Sequence, residues 1–436
     1  MHFTGTIMVN RAGHLEVGGV DAMDLVREYG TPLWVMDEDG IRQNCRQIKA
    51  AFNDMGDSLV VYASKALSNL SIIKIIEQEG LGLDVSSGGE LYTAVQAGFP
   101  MERVYLHGNN KTRAEMELAI QAGVGRIVVD NFFELGQLNR LCAGKGSMQD
   151  ILLRITPGVE AHTHEYIKTG QVDSKFGFTL PDGQAMDAVA SALECRNLNL
   201  IGFHCHIGSQ IFDMKPFTHT ALLMLHFIHD ARQMHDFEVQ ELNLGGGFGI
   251  FYHQGDADPA PREWAEAVMP CIQEKCREYG LKVPKIIVEP GRYLVGPAGI
   301  TLYTVGSCKD IKGIRKYIAV DGGMADNPRP ALYGAKYTAV LANKAARGDE
   351  ETVSIAGKCC EAGDMLIWDA ALPGAEPGDI LAVLATGAYN HAMSMNYNRL
   401  PRPAMVLVRD GAADCILTRE TYDDVLRNDV LLDRLR

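Results

Sequence analysis

The sequence predicts an α/β protein: a (β/α)8 TIM-like barrel joined to a β-rich C-terminal domain of sandwich or barrel-like type. Three observations carry that prediction. Eight apolar runs rich in Val, Ile and Leu alternate with stretches of helical period; the residue after each run is polar, charged or glycine; and beyond about residue 296 long helical stretches give way to short β-like runs.

In chain order, residues 20–30 read as a helix, Thr31–Met36 as a strand, and Glu38–Phe52 as an amphipathic helix with Ile41, Cys45, Ile48 and Phe52 near one face. The eight runs follow: Leu59–Ala63, Leu81–Val85, Arg103–Leu106, Arg126–Val129, Ile151–Ile155, Leu198–Phe203, Val239–Leu244 and Lys285–Val288. Between them lie helical stretches such as Gly89–Ala97 and Arg113–Ala122. Runs that are apolar throughout suit strands buried on both faces, and intervening helices imply parallel pairing. The doubly wound sheet shares this local pattern, but the number of units favours a closed barrel. The later runs are Thr301–Val305, Tyr317–Val320, Thr352–Ile355, Met365–Trp368, Ile380–Ala385 and Met405–Val408, separated by Gly, Pro and Asp. The predicted domains are therefore a barrel over residues 37–295 and a β domain over 296–436. Residues 1–36 are expected to contribute to the β domain, because a lone early strand needs a partner.

Composition bounds the function. A chain of 436 residues exceeds one ordinary core, and 47% apolar with 22% charged residues is the make-up of a globular protein. A formal charge of -14 argues against nucleic acid as a partner. No stretch offers about twenty uninterrupted apolar residues, and the start lacks a basic flank followed by an apolar core. The expectation is a cytoplasmic protein without a membrane partner. Ten cysteines without a CxxC pair fit reduced thiols better than a disulfide framework or a structural zinc site.

The ends of the eight runs carry Ser64-Lys65, Asp84, His107, Asp130, Arg154, His206–Ser209, Gly245-Gly246-Gly247 and Glu289-Pro290-Gly291-Arg292. In a parallel barrel these positions converge on the C-terminal mouth, where such folds keep their active sites. Lys65 follows a buried run, so partial desolvation is expected to prepare its amine to attack a carbonyl. The run Gly245-Gly246-Gly247-Phe248-Gly249 fails the dinucleotide pattern G-x-G-x-x-G, but it exposes backbone N–H groups to a small phosphate; a tight turn is the alternative. Ser209 offers the same phosphate a hydroxyl, and His206 an imidazole able to stack on a flat ring. His204 and His206, two apart on a strand, also make a metal pair with Asp84, His107 or Asp130 as further ligands, a reading ranked below an organic cofactor. Glu289 could keep an aromatic nitrogen protonated or simply pair with Arg292. In the β domain, Cys359-Cys360-Glu361 sets thiols beside a carboxylate, a proton donor or a small buried residue. Arg329 and Tyr333 are suited to gripping a carboxylate.

Together, YASKA at Tyr62–Ala66, HCHIGSQ at His204–Gln210, GGGFG at Gly245–Gly249, EPGR at Glu289–Arg292, RPALY at Arg329–Tyr333, CEAGD at Cys360–Asp364 and GAYNHAMSMNYNRLPRP at Gly387–Pro403 resemble the fold-type III pyridoxal-phosphate-dependent decarboxylases, with their alanine racemase-like barrel. The likeness is closest to the branch acting on meso-2,6-diaminopimelate, the last step of lysine biosynthesis. It implies a carboxy-lyase using pyridoxal 5'-phosphate and no metal. Lys65 would hold the cofactor through its amine, His206 would stack on the ring, Glu289 would pair with the ring nitrogen, and Arg154 would lie near the phenolic oxygen. Ser209, Gly245, Gly246, Gly247, Gly291 and Tyr389 would hold the phosphate, Arg292 phosphate or substrate, and Asp84 belongs with the cofactor-binding set. Arg329, Tyr333, Glu361 and Tyr389 would bind substrate. Cys360 would protonate the α-carbon, reaching across from the partner in a homodimer with shared sites. The chain departs from the usual family pattern at Ala362 of CEAGD, at Asn390-His391 after Gly-Ala-Tyr, and at Met405; His391 bears on specificity. Related enzymes for ornithine, lysine, arginine or carboxynorspermidine are the alternative, although purely dibasic substrates would want an acid where Arg329 offers a cation. A non-catalytic, partner-binding relative typically loses the lysine or the thiol, and both are retained.

Overall fold

The computed structural model describes residues 2–159, 173–346, 348 and 350–436. They form two compact units: residues 44–250 with 257–294, and residues 1–43 with 251–256 and 295–436.

The first unit is a closed parallel barrel. Its strands are Ser58–Ala63, Gly82–Val85, Val104–Leu106, Arg126–Val129, Gln149–Thr156, Leu198–His204, Glu241–Asn243 and Lys285–Val288. Each pairs in parallel with the next, and the last closes on the first with Val288 opposite Val60. A short strand, Phe178–Thr179, adds to the edge of Gln149–Thr156. Val61, Tyr105, Val128, Leu152, Ile201 and Ile287 fill the interior. Each such side chain removed from water contributes roughly 1.5–3 kcal/mol, which is why these runs are apolar without alternation. The helices between them are bounded by local chemistry. Thr112 and Glu115 form a capping box at the start of Arg113–Ala122, and Gly123, at φ 74°, ends it in a left-handed conformation.

At the N-terminal end of the barrel, Arg126 opens one strand and Glu241 another. Arg126 Nη2 lies 2.8 Å from Glu241 Oε1, and the Tyr105 hydroxyl donates to Glu241 Oε2 at 3.1 Å. This floor closes the barrel with a polar network in which Glu241 and Tyr105 are buried and Arg126 is half-buried.

The second unit is built on a nine-stranded sheet. Its long strand Gly299–Ile311 pairs with Leu33–Asp37, Arg315–Val320 and Ile380–Val383. Leu33–Asp37 in turn runs parallel to Ala404–Arg409. Leu33, Val35, Ile300, Leu302, Val340, Ala382 and Val406 lie in one core cluster. Ala339–Leu341 and Ala412–Leu417 are strands the sequence reading did not anticipate, nor did it anticipate the small sheet of Met8–Val9, Leu15–Val17 and Val20–Asp21. The helix expected over 20–30 is shorter, Ala22–Tyr29, because Asp21 accepts a hydrogen bond from the Met23 N–H and caps it. The strand expected over Val239–Leu244 contracts to Glu241–Asn243. Among the described residues no helix is long and apolar enough to cross a membrane.

Candidate active site

Lys65 sits in a single helical turn, Ser64–Ala66, directly after the first barrel strand. Ser64 and Ala66 are buried, but Lys65 is exposed, which corrects the expectation of a desolvated amine. The positive charge of Lys65 bears on both Asp84 and His206.

The centre of the mouth is Glu289, which is 6% exposed. Asn243 Nδ2 donates to its Oε1 at 2.7 Å, and His107 Nε2 lies 2.9 Å from the same oxygen. His204 Nε2 lies 3.2 Å from Oε2. Burial pushes this carboxyl up, but the close imidazoles of His107 and His204 outweigh it and hold Glu289 well below the usual carboxylate range. Asp84 goes the other way: burial, reinforced by Glu289, raises it to about 6 against the pull of His107 and Lys65. His107 is raised, since Asp84 and Glu289 overcome its burial, whereas burial lowers His204 to about 4. The surroundings thus favour the anion of Glu289 and shift His107 toward its cation, while His204 stays neutral.

His204 and His206 do not act as a pair. The strand ends at His204, and His206 turns to accept a hydrogen bond from the Gly246 N–H at its Nδ1, 3.2 Å away. Burial, followed by the charges of Lys65 and Arg154, keeps His206 neutral. The Gly245 N–H donates to Asn243 Oδ1 at 2.9 Å, so two amides of the glycine run are engaged inside the loop. The glycines are nevertheless required. A Cβ on Gly245, at φ 70°, would meet the Cys205 carbonyl oxygen at 2.6 Å, and one on Gly247, at φ 110°, the Gly208 carbonyl at 2.7 Å. At Gly291 a Cβ would stand 2.9 Å from the Ala63 carbonyl. Arg292 Nη2 donates to Ser209 Oγ at 2.9 Å, joining two residues predicted to face an anion. Arg154 is buried, 3.9 Å from Asp130 and 4.1 Å from the centre of the Phe176 ring.

The remaining predicted residues belong to the second unit. Arg329 is buried at the start of the turn Arg329–Tyr333; it donates to the Tyr337 hydroxyl and lies 4.8 Å from the centre of the Tyr252 ring. Tyr333 and Tyr389 are half-buried, and Tyr389 adopts a left-handed φ of 62°. Cys360 and Glu361 are exposed; the Cys360 N–H donates to Asn398 Oδ1 at 2.7 Å, and the Tyr397 hydroxyl lies 3.5 Å from Glu361. Cys359 is the buried thiol, pushed up to about 12 by burial and by Asp364. His391 packs edge-on against Trp34, with ring centres 5.2 Å apart. Asn243, Tyr252 and Tyr337 were not anticipated. Asn243 was visible as a polar residue inside the run Val239–Leu244, whereas nothing in the sequence marks the two tyrosines.

A closed parallel barrel with a lysine, a carboxylate and an Arg–Ser pair at its C-terminal mouth suits a phosphate-bearing organic cofactor, and residues 38–296 match the pyridoxal-binding domain of the pyridoxal-dependent decarboxylases, which places the chain among cofactor-dependent lyases. The diaminopimelate decarboxylase of Bacillus subtilis is 53% identical over 99% of this chain and 98% of its own length. That of Synechocystis is 47% identical over 99% and 93%. The crystal structure of the M. jannaschii diaminopimelate decarboxylase with L-lysine superposes with a TM-score of 0.93 at 36% identity, covering 99% of both chains. The chain belongs to the diaminopimelate decarboxylase family.

The residues present fit pyridoxal phosphate. The Arg292–Ser209 pair offers a cation and a hydroxyl to a phosphate, the glycine loop lies flush where a Cβ would intrude, and Glu289 is held as the anion that a protonated ring nitrogen requires.

Proposed function

We infer that the protein is a pyridoxal-phosphate-dependent carboxy-lyase that converts meso-2,6-diaminopimelate to L-lysine and carbon dioxide. The observation that carries the chemistry is Glu289: a buried carboxylate kept ionised at the mouth of the same barrel that presents Lys65. Bound there, pyridoxal phosphate supplies the sink for the electron pair left when carbon dioxide departs. Lys65 would hold the cofactor by its amine. Glu289 would pair with the ring nitrogen, His206 would stack on the ring, Arg154 would lie near the phenolic oxygen, and Asp84 would belong to the same cofactor-binding set. Ser209, Gly245, Gly246, Gly247, Gly291, Arg292 and Tyr389 hold the phosphate. Arg329 takes the distal carboxylate of the substrate, with Tyr333 and Glu361 beside it, and the Cys360 thiol delivers a proton to the α-carbon. Cys360 and Glu361 are exposed on their own unit, which supports a homodimer in which a second copy contributes them. Free thiols at all ten cysteines support a cytoplasmic setting.

Purified protein supplied with pyridoxal phosphate and, in turn, meso-diaminopimelate, ornithine, lysine and arginine is expected to release carbon dioxide from diaminopimelate at a kcat/KM at least about a hundredfold above the others. Arg329→Ala should lower the diaminopimelate value roughly a hundredfold, the scale for leaving a charged group unpaired. Release from the dibasic amino acids with an inert diaminopimelate would overturn the assignment.

A further inference from the structure

The mouth contains two imidazoles to which the proposed reaction assigns no task. His107 follows the strand Val104–Leu106, and His204 ends the strand Leu198–His204; their rings meet edge to face with centres 4.7 Å apart. Both are buried, and they take opposite oxygens of one carboxylate. His107 Nε2 is close enough to Oε1 for an ion pair, though off the axis of a hydrogen bond, and lies 3.7 Å from Asp84 Oδ1. Among the described residues His204 Nδ1 is buried without a hydrogen-bond partner, so its single proton belongs on Nε2, facing Glu289.

We propose that His107 and His204 are positioning residues for the cofactor ring, clamping Glu289 between them so that the carboxylate meets the ring nitrogen in one fixed plane. The proposal rests on the pyridoxal-phosphate reading and deepens it. A carboxylate that contacts a ring only at its nitrogen has a free torsion about its last bond. Contacts on both oxygens from separate strands, together with the Asn243 amide, remove that freedom before the cofactor arrives.

The two imidazoles do different work. His107 sits between Asp84 and Glu289, whose charges favour its protonated form; His204 supplies a neutral N–H. The loop that carries His107 is itself tied down. Lys111 Nζ, buried, donates to the carbonyl of Gly108 at 2.8 Å, to that of Val128 at 2.6 Å, and to Glu134 at 2.7 Å. The Lys111–Glu134 pair thereby fixes the strand end from which His107 projects. The other charged or titratable groups coupled to this cluster include Asp84, Lys65, Glu90, Asp130, Arg154, His206, Tyr105 and Cys205. Of these only Asp84 lies within 4 Å of a clamp imidazole as an ion pair among the described residues.

The test uses apo-protein titrated with pyridoxal phosphate and the pH dependence of the bound cofactor's visible band, which reports the proton on the ring nitrogen. His107→Gln and His204→Leu are each expected to raise the cofactor Kd about tenfold, the scale of one charge-assisted hydrogen bond. Both should also make the ring lose its proton at lower pH than in the wild type. His204→Gln, which restores a neutral N–H, should return to within about threefold of the wild-type Kd, whereas no such rescue is expected at His107. Wild-type Kd and an unmoved band in both His107→Gln and His204→Leu would overturn the clamp. So would a His204→Gln defect equal to that of His204→Leu, which would reduce His204 to packing. Stoichiometric zinc retained by wild-type apo-protein and lost in both variants would also overturn it, because the nitrogens of His107 and His204 and a Glu289 oxygen lie within 4.8 Å of one another. A wild-type protein that binds no pyridoxal phosphate would instead remove the cofactor reading on which the clamp stands.

Discussion

The two ends of the barrel each bury a glutamate, and they stabilise it by opposite means. At the floor, Glu241 meets Arg126 and the Tyr105 hydroxyl. A guanidinium is charged at every relevant pH and its fork matches a carboxylate, so that network has one state. At the mouth, Glu289 meets two imidazoles and an amide. Imidazole titrates near neutrality, and its charge follows its surroundings: His107 is pushed up by acids, His204 pulled down by burial. The difference teaches which end is structural. A fixed cation closes the fold, whereas adjustable partners hold a carboxylate whose charge must suit an incoming ring.

The largest effect that would sharpen the contrast lies at the mouth. Lys65→Ala should remove the cofactor's lysine-dependent absorbance and lower kcat at least about a thousandfold, as loss of a covalent catalyst does. Because Lys65 is exposed, the thermal midpoint should hardly move, within about 0.5 kcal/mol of stability. A variant that kept both colour and turnover would break the assignment of the mouth as the reactive end.

The floor should show the reverse. Arg126→Met leaves Glu241 buried with the Tyr105 hydroxyl, and removing one member of a buried pair costs about 3–5 kcal/mol when both are fully enclosed. The Arg126 side chain is 25% exposed, so a loss nearer about 2 kcal/mol is expected. Calorimetry should find a midpoint several degrees lower, with kcat/KM unchanged within about threefold. If activity fell as far as stability, the separation of the two ends would not hold.

This contrast was only half legible in the sequence. The eight runs could be read because strands buried on both faces must be apolar throughout, and the residues past them could be gathered because parallel strands all end on one side. Glu289 and His204 were visible as residues, but their contact was not. It depends on which strands adjoin across the barrel and on the register that places His204 opposite Arg154 and Asn243. The floor was missed for the same reason, since Arg126 and Glu241 are 115 positions apart in the chain. The strands Met8–Val9, Leu15–Val17 and Val20–Asp21 are too short to show a period of two. In the β-rich unit, Arg329 stood out by its motif, while Tyr252 and Tyr337 reach it through tertiary structure alone.

The smallest effect is the most specific to the mouth, because there a substitution should stabilise. Asp84 has its carboxyl raised to about 6 by burial and by Glu289, despite the opposing charges of His107 and Lys65. An ordinary aspartate titrates near 3.9, so the folded protein binds this proton more tightly than the unfolded chain does. The folded state is therefore penalised progressively as pH rises from about 4 through about 6, and uniformly above that. Asp84→Asn removes the penalty while keeping the shape of the protonated acid. Relative to wild-type apo-protein, its stability should rise between pH 4.5 and pH 7.5 by on the order of 2 kcal/mol. Paired unfolding curves at the two pH values measure this directly. A difference that stayed flat, or grew toward acid pH, would mean that Asp84 is held by its cationic neighbours, as Glu289 is, and that the mouth tolerates two anions as readily as the floor holds one.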